Sequence, residues 1–170
     1  RMVRAAMRAY GYVDLSVLPI ADDSAGVAAS GSLKLTGDAT AQGVLTLTIA
    51  DTEISVAAAA EDSAEALATA LATAVNGERD LPVTAQAATG TVTLTAKNKG
   101  TLGNGIVLSY VCTVPGITPT LTKMAGGQKD PDIAEALTAV FAADYTIYCV
   151  PWAVQAPLTA LREHLDNIGG

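Results

Sequence analysis

Between Ser32 and Met124, apolar residues alternate with Thr and Ser at period two, in SLKLT, VLTLTI, EISVA, TVTLTA, IVLSYV and TPTLTKM. Successive side chains of a strand point to opposite faces, so these segments are expected to form sheets with one dry and one wet face. One stretch breaks the alternation. There Asp62 and Glu65 offer a capping box, Leu67, Leu71 and Val75 recur on one helical face, and Asn76-Gly77 supplies a stop. This helix is expected to cover one side of the sheet.

The flanks follow a different rhythm. A helix over RMVRAAMRAY precedes YVDLSVLPIAD, which reads as a strand ending at Pro19, where an amide hydrogen is missing. After the small-residue link ADDSAGVAASG and the β-rich stretch, AGGQKDP breaks the pattern. Asp130-Pro131 then opens a helix in the cap and first-turn positions, with Ile133, Leu137, Val140 and Phe141 as its buried stripe. TIYCV reads as a short strand ending at Pro151, and a last helix places Leu158, Leu161, Leu165 and Ile168 on one face. Helix, strand, helix, strand, helix is the rhythm of a parallel sheet with helices over it. The expected fold class is therefore α+β: a sandwich- or barrel-like β-rich domain with one covering helix, over 30–124, inserted into a partial α/β scaffold formed by 1–29 and 125–170. The chain opens at Arg1 rather than a start methionine and closes on NIGG, where another strand is expected to begin, so a piece of a longer protein is expected.

Composition narrows the function classes. Half of the 170 residues are hydrophobic and only 4% are aromatic, which favours small-residue packing over a deep aromatic pocket. A net charge of −7 argues against a nucleic-acid groove, because phosphate neutralisation needs clustered Lys and Arg. The exception is local: Arg1, Arg4 and Arg8 share a stripe of the first helix, opposite Val3, Met7 and Tyr10. That segment carries three positive charges and no negative ones, which leaves −10 on the remainder of the chain. It reads either as a solvated face or as a surface docking on an acidic neighbour. No apolar run approaches the roughly 20 residues of a membrane span, and no signal-peptide pattern opens the chain. Cys112 and Cys149, far apart and without companions, read as small packed side chains rather than a disulfide or metal framework, and a reducing compartment fits them.

Candidate chemistry is thin. In TAKNKGTLGNGIV, Gly100 and Gly105 have the spacing of a phosphate loop, with Lys97 and Lys99 just before them. Yet Ile106 and Val107 stand where such a loop needs its lysine and its hydroxyl, and the following run reads as a strand instead of the required helix. A connection between two strands, with glycines supplying unusual backbone angles, is expected. His164, the single histidine, borders the apolar stripe of the last helix, and neither a nucleophile nor an orienting carboxylate can be assigned to it by motif. Glu163 and Asp166 read as solvated helix charges. Asp22-Asp23, Glu61-Asp62 and Asp130/Asp132 lie at loops or helix starts, where carboxylates cap amides, and none has the spacing of a calcium loop. No motif flanks them that would select sugar hydrolysis. Trp152 suits core or interface packing better than a sugar platform. No catalytic, cofactor-binding or metal-ligating residue is expected. The residues alone point to a non-catalytic assembly or binding domain.

TVTLTAKNKGTLGNGIVLSY, the preceding NGERDLPVTAQ and the sequel TKMAGGQKDPDIAEAL together resemble the tail sheath proteins of contractile-tailed bacteriophages, in their Mu-like branch. The resemblance extends from Met2–Arg8 and YVDLSVLPIAD to DYTIYCVPW and the last helix. In that family a strand, a lysine- and glycine-containing turn ending in Gly-Asn and another strand recur, which here is Lys99-Gly100-Thr101-Leu102-Gly103-Asn104. The resemblance implies a structural subunit that stacks in helical rings around the tail tube and contracts to drive it through a host envelope, without cofactor or catalytic residue. Its implied partners are neighbouring sheath subunits, the tube and the baseplate, in the virion tail after assembly in the host cytoplasm. It further implies neighbour contacts through terminal arms that add strands; these arms are expected to lie outside this chain, so the piece alone is expected to be monomeric. The alternative is a β-rich carbohydrate-binding or adhesin module, which would need exposed aromatics around a groove.

Overall fold

The computed structural model describes residues 2–9, 11–12, 15–143, 145 and 147–168, with the backbone alone for 2–5. The contacts of the chain gather into two compact units: 1–23 with 130–170, and 24–129. The fold is α+β, with seven strands in two antiparallel sheets and four α-helices among the described residues.

All seven strands lie in the 24–129 unit: β1 (Ala28–Thr36), β2 (Gly43–Ile49), β3 (Thr52–Ala58), β4 (Val83–Ala88), β5 (Thr91–Lys99), β6 (Leu108–Cys112) and β7 (Thr118–Ala125). They form one sheet of order β4-β5-β1-β7 and a second of order β3-β2-β6. Period two is visible in the burial. Leu33 and Leu35 of β1, Leu45, Leu47 and Ile49 of β2, and Val92 and Leu94 of β5 all point into one shared core, while Lys34 and Thr93 face out. Tight turns fix the register of two hairpins. Ile49 pairs with Thr52 across Ala50-Asp51, and Ala88 pairs with Thr91 across Thr89-Gly90, where both turn residues have positive φ, as a type I′ turn requires.

The helix α2 (Ala64–Gly77) lies along β4 and β3, closing the side of the unit where the two sheets part. Its buried residues are Leu67, Ala68, Leu71, Ala72 and Val75, the face expected from the sequence. Its ends differ from expectation. Ser63 is the cap, its hydroxyl accepting from the Ala66 amide at 3.2 Å, while Asp62 accepts from the Ala59 amide at 2.7 Å and so closes the turn before the helix. Two adjacent residues could each cap, and the preceding turn decides between them.

Strand β4 is an addition to the strands anticipated. VTAQAA carries a single β-branched apolar residue, yet Val83 and Ala85 alternate inward as the longer strands do. Alanine at period two is a weak signal by composition and a sufficient one once β5 offers a ladder.

In the other unit, α1 (Met2–Ala9), α3 (Ala134–Ala139) and α4 (Gln155–Ile168) are helical. Arg8 and Met7 of α1 are exposed, whereas Arg1, Tyr10 and the side chains of Val3 and Arg4 lie outside the described residues, as do Val13, Asp14 and the final two glycines. Of the two strands expected here, the described parts, Leu15–Ile20 and 147–150, have no ladder partner among the described residues. An apolar run becomes a strand only through a neighbour, and the described parts of these runs do not pair with each other. Helix α3 starts later than Asp130-Pro131 would place it, with Ile133 as its cap residue and Asp132 accepting from the Ala134 amide at 2.9 Å. Ile133 and Leu137 are buried, but Phe141, expected inside, lies past the helix and is exposed.

The last helix shows the largest departure. Leu158, Leu165 and Ile168 are exposed, and Pro157 and His164 are buried in their place. The helix is turned by about one residue, roughly 100° at 3.6 residues per turn, so that His164 meets the rings of Phe141 and Tyr148. No helix among the described residues is long and apolar enough to cross a membrane.

Candidate functional site: a clasp where the chain enters and leaves the β unit

The glycine-rich loop after β5 forms a short 3-10 turn, Thr101–Gly105, and carries the chain from one sheet to the other. It is built to hold protein. Gly100, at φ 99°, adopts a conformation that residues with a Cβ resist, and its amide donates to the Val27 carbonyl at 3.0 Å. Val27 in turn exchanges two backbone bonds with Gln128, at 2.9 and 3.0 Å. The strands entering and leaving the unit are thus paired at its base, and the loop seals the pair.

Asn104 completes the clasp. Its side-chain Nδ2 donates to the Gly127 carbonyl at 3.0 Å, and its Oδ1 accepts from the Gly127 amide at 2.8 Å, so one amide side chain replaces a rung of sheet. Gly103 is buried where a Cβ would come within 2.8 Å of the Ala29 Cβ and 2.9 Å of the Ala96 Cβ. A Cβ on Gly127 would collide with the Gly100 carbonyl oxygen. These glycines permit close approach of backbone to backbone.

Both lysines of the loop are engaged. Lys97 Nζ donates to the Arg79 carbonyl at 2.9 Å, and Lys99 Nζ donates to the Ser24 carbonyl at 3.1 Å. A phosphate cradle needs cations and amides converging on a vacant anion site at a helix N-terminus. Here the Gly100 amide and both ammonium groups bond backbone carbonyls of the same unit, and β6 follows in place of a helix.

The same device recurs at the edge of the four-stranded sheet. Asn76 Nδ2 donates to the Ala85 carbonyl at 2.8 Å while Oδ1 accepts from the Ala85 amide at 2.9 Å, capping the open side of β4. Open strand edges invite pairing with other chains, and an amide side chain that satisfies one closes it. In the sequence Asn76-Gly77 and Asn104-Gly105 read as helix-stop and loop signals. Gly77 instead ends α2 without the positive φ of a glycine cap, and both asparagines serve as edge caps. Between the other two sheet edges, Tyr110 Oη donates to the Pro119 carbonyl at 3.2 Å. Nothing local announces these three residue pairs, since each is brought together by the tertiary structure.

The remaining candidates stay apart. His164 is 7% exposed, and its Nε2 is buried without a hydrogen-bond partner, facing aromatic rings with no carboxylate assigned to it. Asp166 makes an exposed i,i+4 pair with Arg162 at 3.6 Å, and Glu163 is exposed. Asp23, Asp130 and Asp132 line a shallow cleft of about 360 Å³ with Ile133, Val154 and Pro157. Asp62 is taken up by the turn before α2, and Glu61 sits in that turn at positive φ. Among the described residues, no three His, Cys, Asp or Glu side chains are grouped to hold a metal ion. Cys112 is half-buried, Cys149 is exposed, and both are free thiols.

No family model matches the chain. It is similar, however, to the Mu-like prophage FluMu tail sheath protein of Haemophilus influenzae, with 32% identity over 158 residues, covering 90% of this chain and 32% of that protein. The resemblance read from the sequence is thereby borne out. The chain is similar along nine-tenths of its length to a Mu-like tail sheath protein, and spans about a third of it.

Proposed function

We propose that this chain is part of a structural subunit of a contractile phage tail sheath, which polymerises around the tail tube and contracts to drive it through the host envelope. The observation that carries the reading is the similarity to a tail sheath protein over nearly the whole chain. The β unit supports it: its loop lysines and asparagines hold the unit together, as suits a rigid part of a protein assembly. Neighbouring sheath subunits, the tube and the baseplate are the proposed partners, and the virion tail, assembled in the host cytoplasm, is the proposed location. No catalytic step is assigned to it.

The test is assembly. Protein produced from the complete reading frame should form tubes or sheaths visible by negative-stain microscopy, whereas these 170 residues alone should sediment as a monomer at micromolar concentration. Failure of the complete protein to polymerise, with or without its tube protein, would remove the sheath reading. Long polymers from the short chain would show that its own surfaces suffice for stacking.

We further propose that the β unit is an insertion with its own core, expected from the sequence over 30–124 and extended by the clasp to 24–129. The paired Val27 and Gln128 bring its two ends together, as an inserted domain requires. Residues 24–129 produced alone should unfold cooperatively in denaturant and keep slow amide exchange in β1, β2 and β5. A chain of 24–129 with no cooperative transition would make the unit dependent on its flanks.

A further inference from the structure

Charge is divided within the β unit. Positions 51–80, which run from the turn before β3 through α2 to Asp80, hold seven carboxylates and one arginine, a net −6. The rest of 24–129 holds Asp38 and five lysines, a net +4. Strands β4, β5, β1 and β7 contain four lysines among them and no carboxylate, whereas a solvated surface ordinarily mixes both signs. Their outward face is also level. In register, Ser32 stands between Thr93 and Thr122, and Lys34 between Thr91 and Thr120, so short hydroxyl side chains surround the lysine. The core that these strands share with α2 and the second sheet lies on their inward face, so the lysine-bearing face and the acidic layer are turned away from each other. Among the described residues, Lys34, Lys123, Glu53, Glu61, Glu65 and Glu78 are exposed and make no ion pair within the chain.

We infer that the outward face of the four-stranded sheet docks on the acidic β3–α2 side of the β unit of a second copy of this chain, head to tail. Charge complementarity selects that occupant: a carboxylate-free face with unpaired lysines meets its opposite on every other copy, at the 51–80 layer. Two different surfaces meeting in this way leave one of each unsatisfied at the ends, so the contact repeats and does not stop at a dimer. Short hydroxyl side chains suit such a contact, because they lose little rotamer freedom on docking. Four strands about 4.8 Å apart, with three outward rows about 7 Å apart, give a face of about 400 Å², against the about 800 Å² per partner of a standard interface. One contact is therefore weak and salt-sensitive, and repetition in an assembly is what would make it persist. The inference rests on the sheath reading for its setting and names the surfaces that meet.

The experiment is velocity sedimentation of the 170-residue chain, which keeps it separate from polymerisation of the complete protein. In about 0.03 M salt the chain at about 1 mM should show a weight-average mass at least about 1.5 times that of the monomer, falling to the monomer value in about 0.5 M salt. Lys34→Glu/Lys123→Glu and Glu61→Lys/Glu65→Lys should each sediment as monomers under the low-salt condition, with unchanged far-UV circular dichroism. Each variant keeps one half of the contact intact, so an equimolar mixture of the two should recover the association. That recovery distinguishes a lost contact from a lost fold. A monomeric unsubstituted chain at about 1 mM in low salt would overturn the inference, as would association that survives either variant or a mixture that stays monomeric. Heparin is the probe for the rival occupant, an anionic polymer. Heparin binding that Lys34→Glu/Lys123→Glu abolishes, in a chain that does not self-associate, would assign the face to that rival. Failure of the short chain to associate leaves the sheath reading standing, and failure of the complete protein to polymerise leaves a measured contact of the short chain standing.

Discussion

Leu71→Ala should destabilise the β unit by about 2–5 kcal/mol, the range for removing a large aliphatic side chain from a packed interior. Leu71 is 0% exposed, at the centre of the buried face of α2 between Leu67 and Val75. Because α2 lies where the sheets part, the lost volume is bordered by strands already held in register by two tight hairpins, so little collapse can refill it. The measurement needs some care. Trp152 belongs to the other unit and Tyr110 is the single aromatic residue of 24–129, so unfolding is best followed by far-UV circular dichroism or by amide exchange in β1 and β5. A loss below about 0.5 kcal/mol, typical of surface positions, would show that α2 does not seal the core.

The second large effect lies in the clasp. Gly103→Val should cost about 1–3 kcal/mol or more, because its Cβ would press on Ala29 and Ala96, both buried. Gly105→Val is the matched control: a Cβ there meets nothing within 4 Å, and the change should stay within about 0.5 kcal/mol. If the loop cradled phosphate, millimolar ATP with Mg²⁺ would raise the melting temperature of the unsubstituted protein by mass action. The expected shift is nil, and a saturable rise would restore the nucleotide reading.

The two variants also separate what a glycine-rich motif says from what its surroundings do. The spacing of Gly100 and Gly105 suggests one role for both, yet Gly105 has open space around it and Gly103 is the residue that cannot grow. Lys97 and Lys99 likewise look available in the sequence and are engaged by carbonyls of Arg79 and Ser24, 18 and 75 positions away.

The strands of the β unit were legible because alternation is a local property. A residue's face in a strand follows from its own position, and SLKLT or VLTLTI needs no knowledge of its neighbour to declare a dry side. The covering face of α2 was legible for the same reason, its apolar residues repeating with one unambiguous phase. Tertiary structure alone decided the order β4-β5-β1-β7 and β3-β2-β6, because pairing brings together residues as distant as Leu33 and Leu121. It also promoted VTAQAA to a strand and turned two Asn-Gly turn signals into edge caps. Helix α4 marks the boundary between the two kinds of information: Leu158, Leu165 and Ile168 define one stripe, Pro157 and His164 another about 100° away, with the half-buried Leu161 next to both. A helix with two candidate faces has no internal reason to choose, and the side presented inward is set by whatever packs against it.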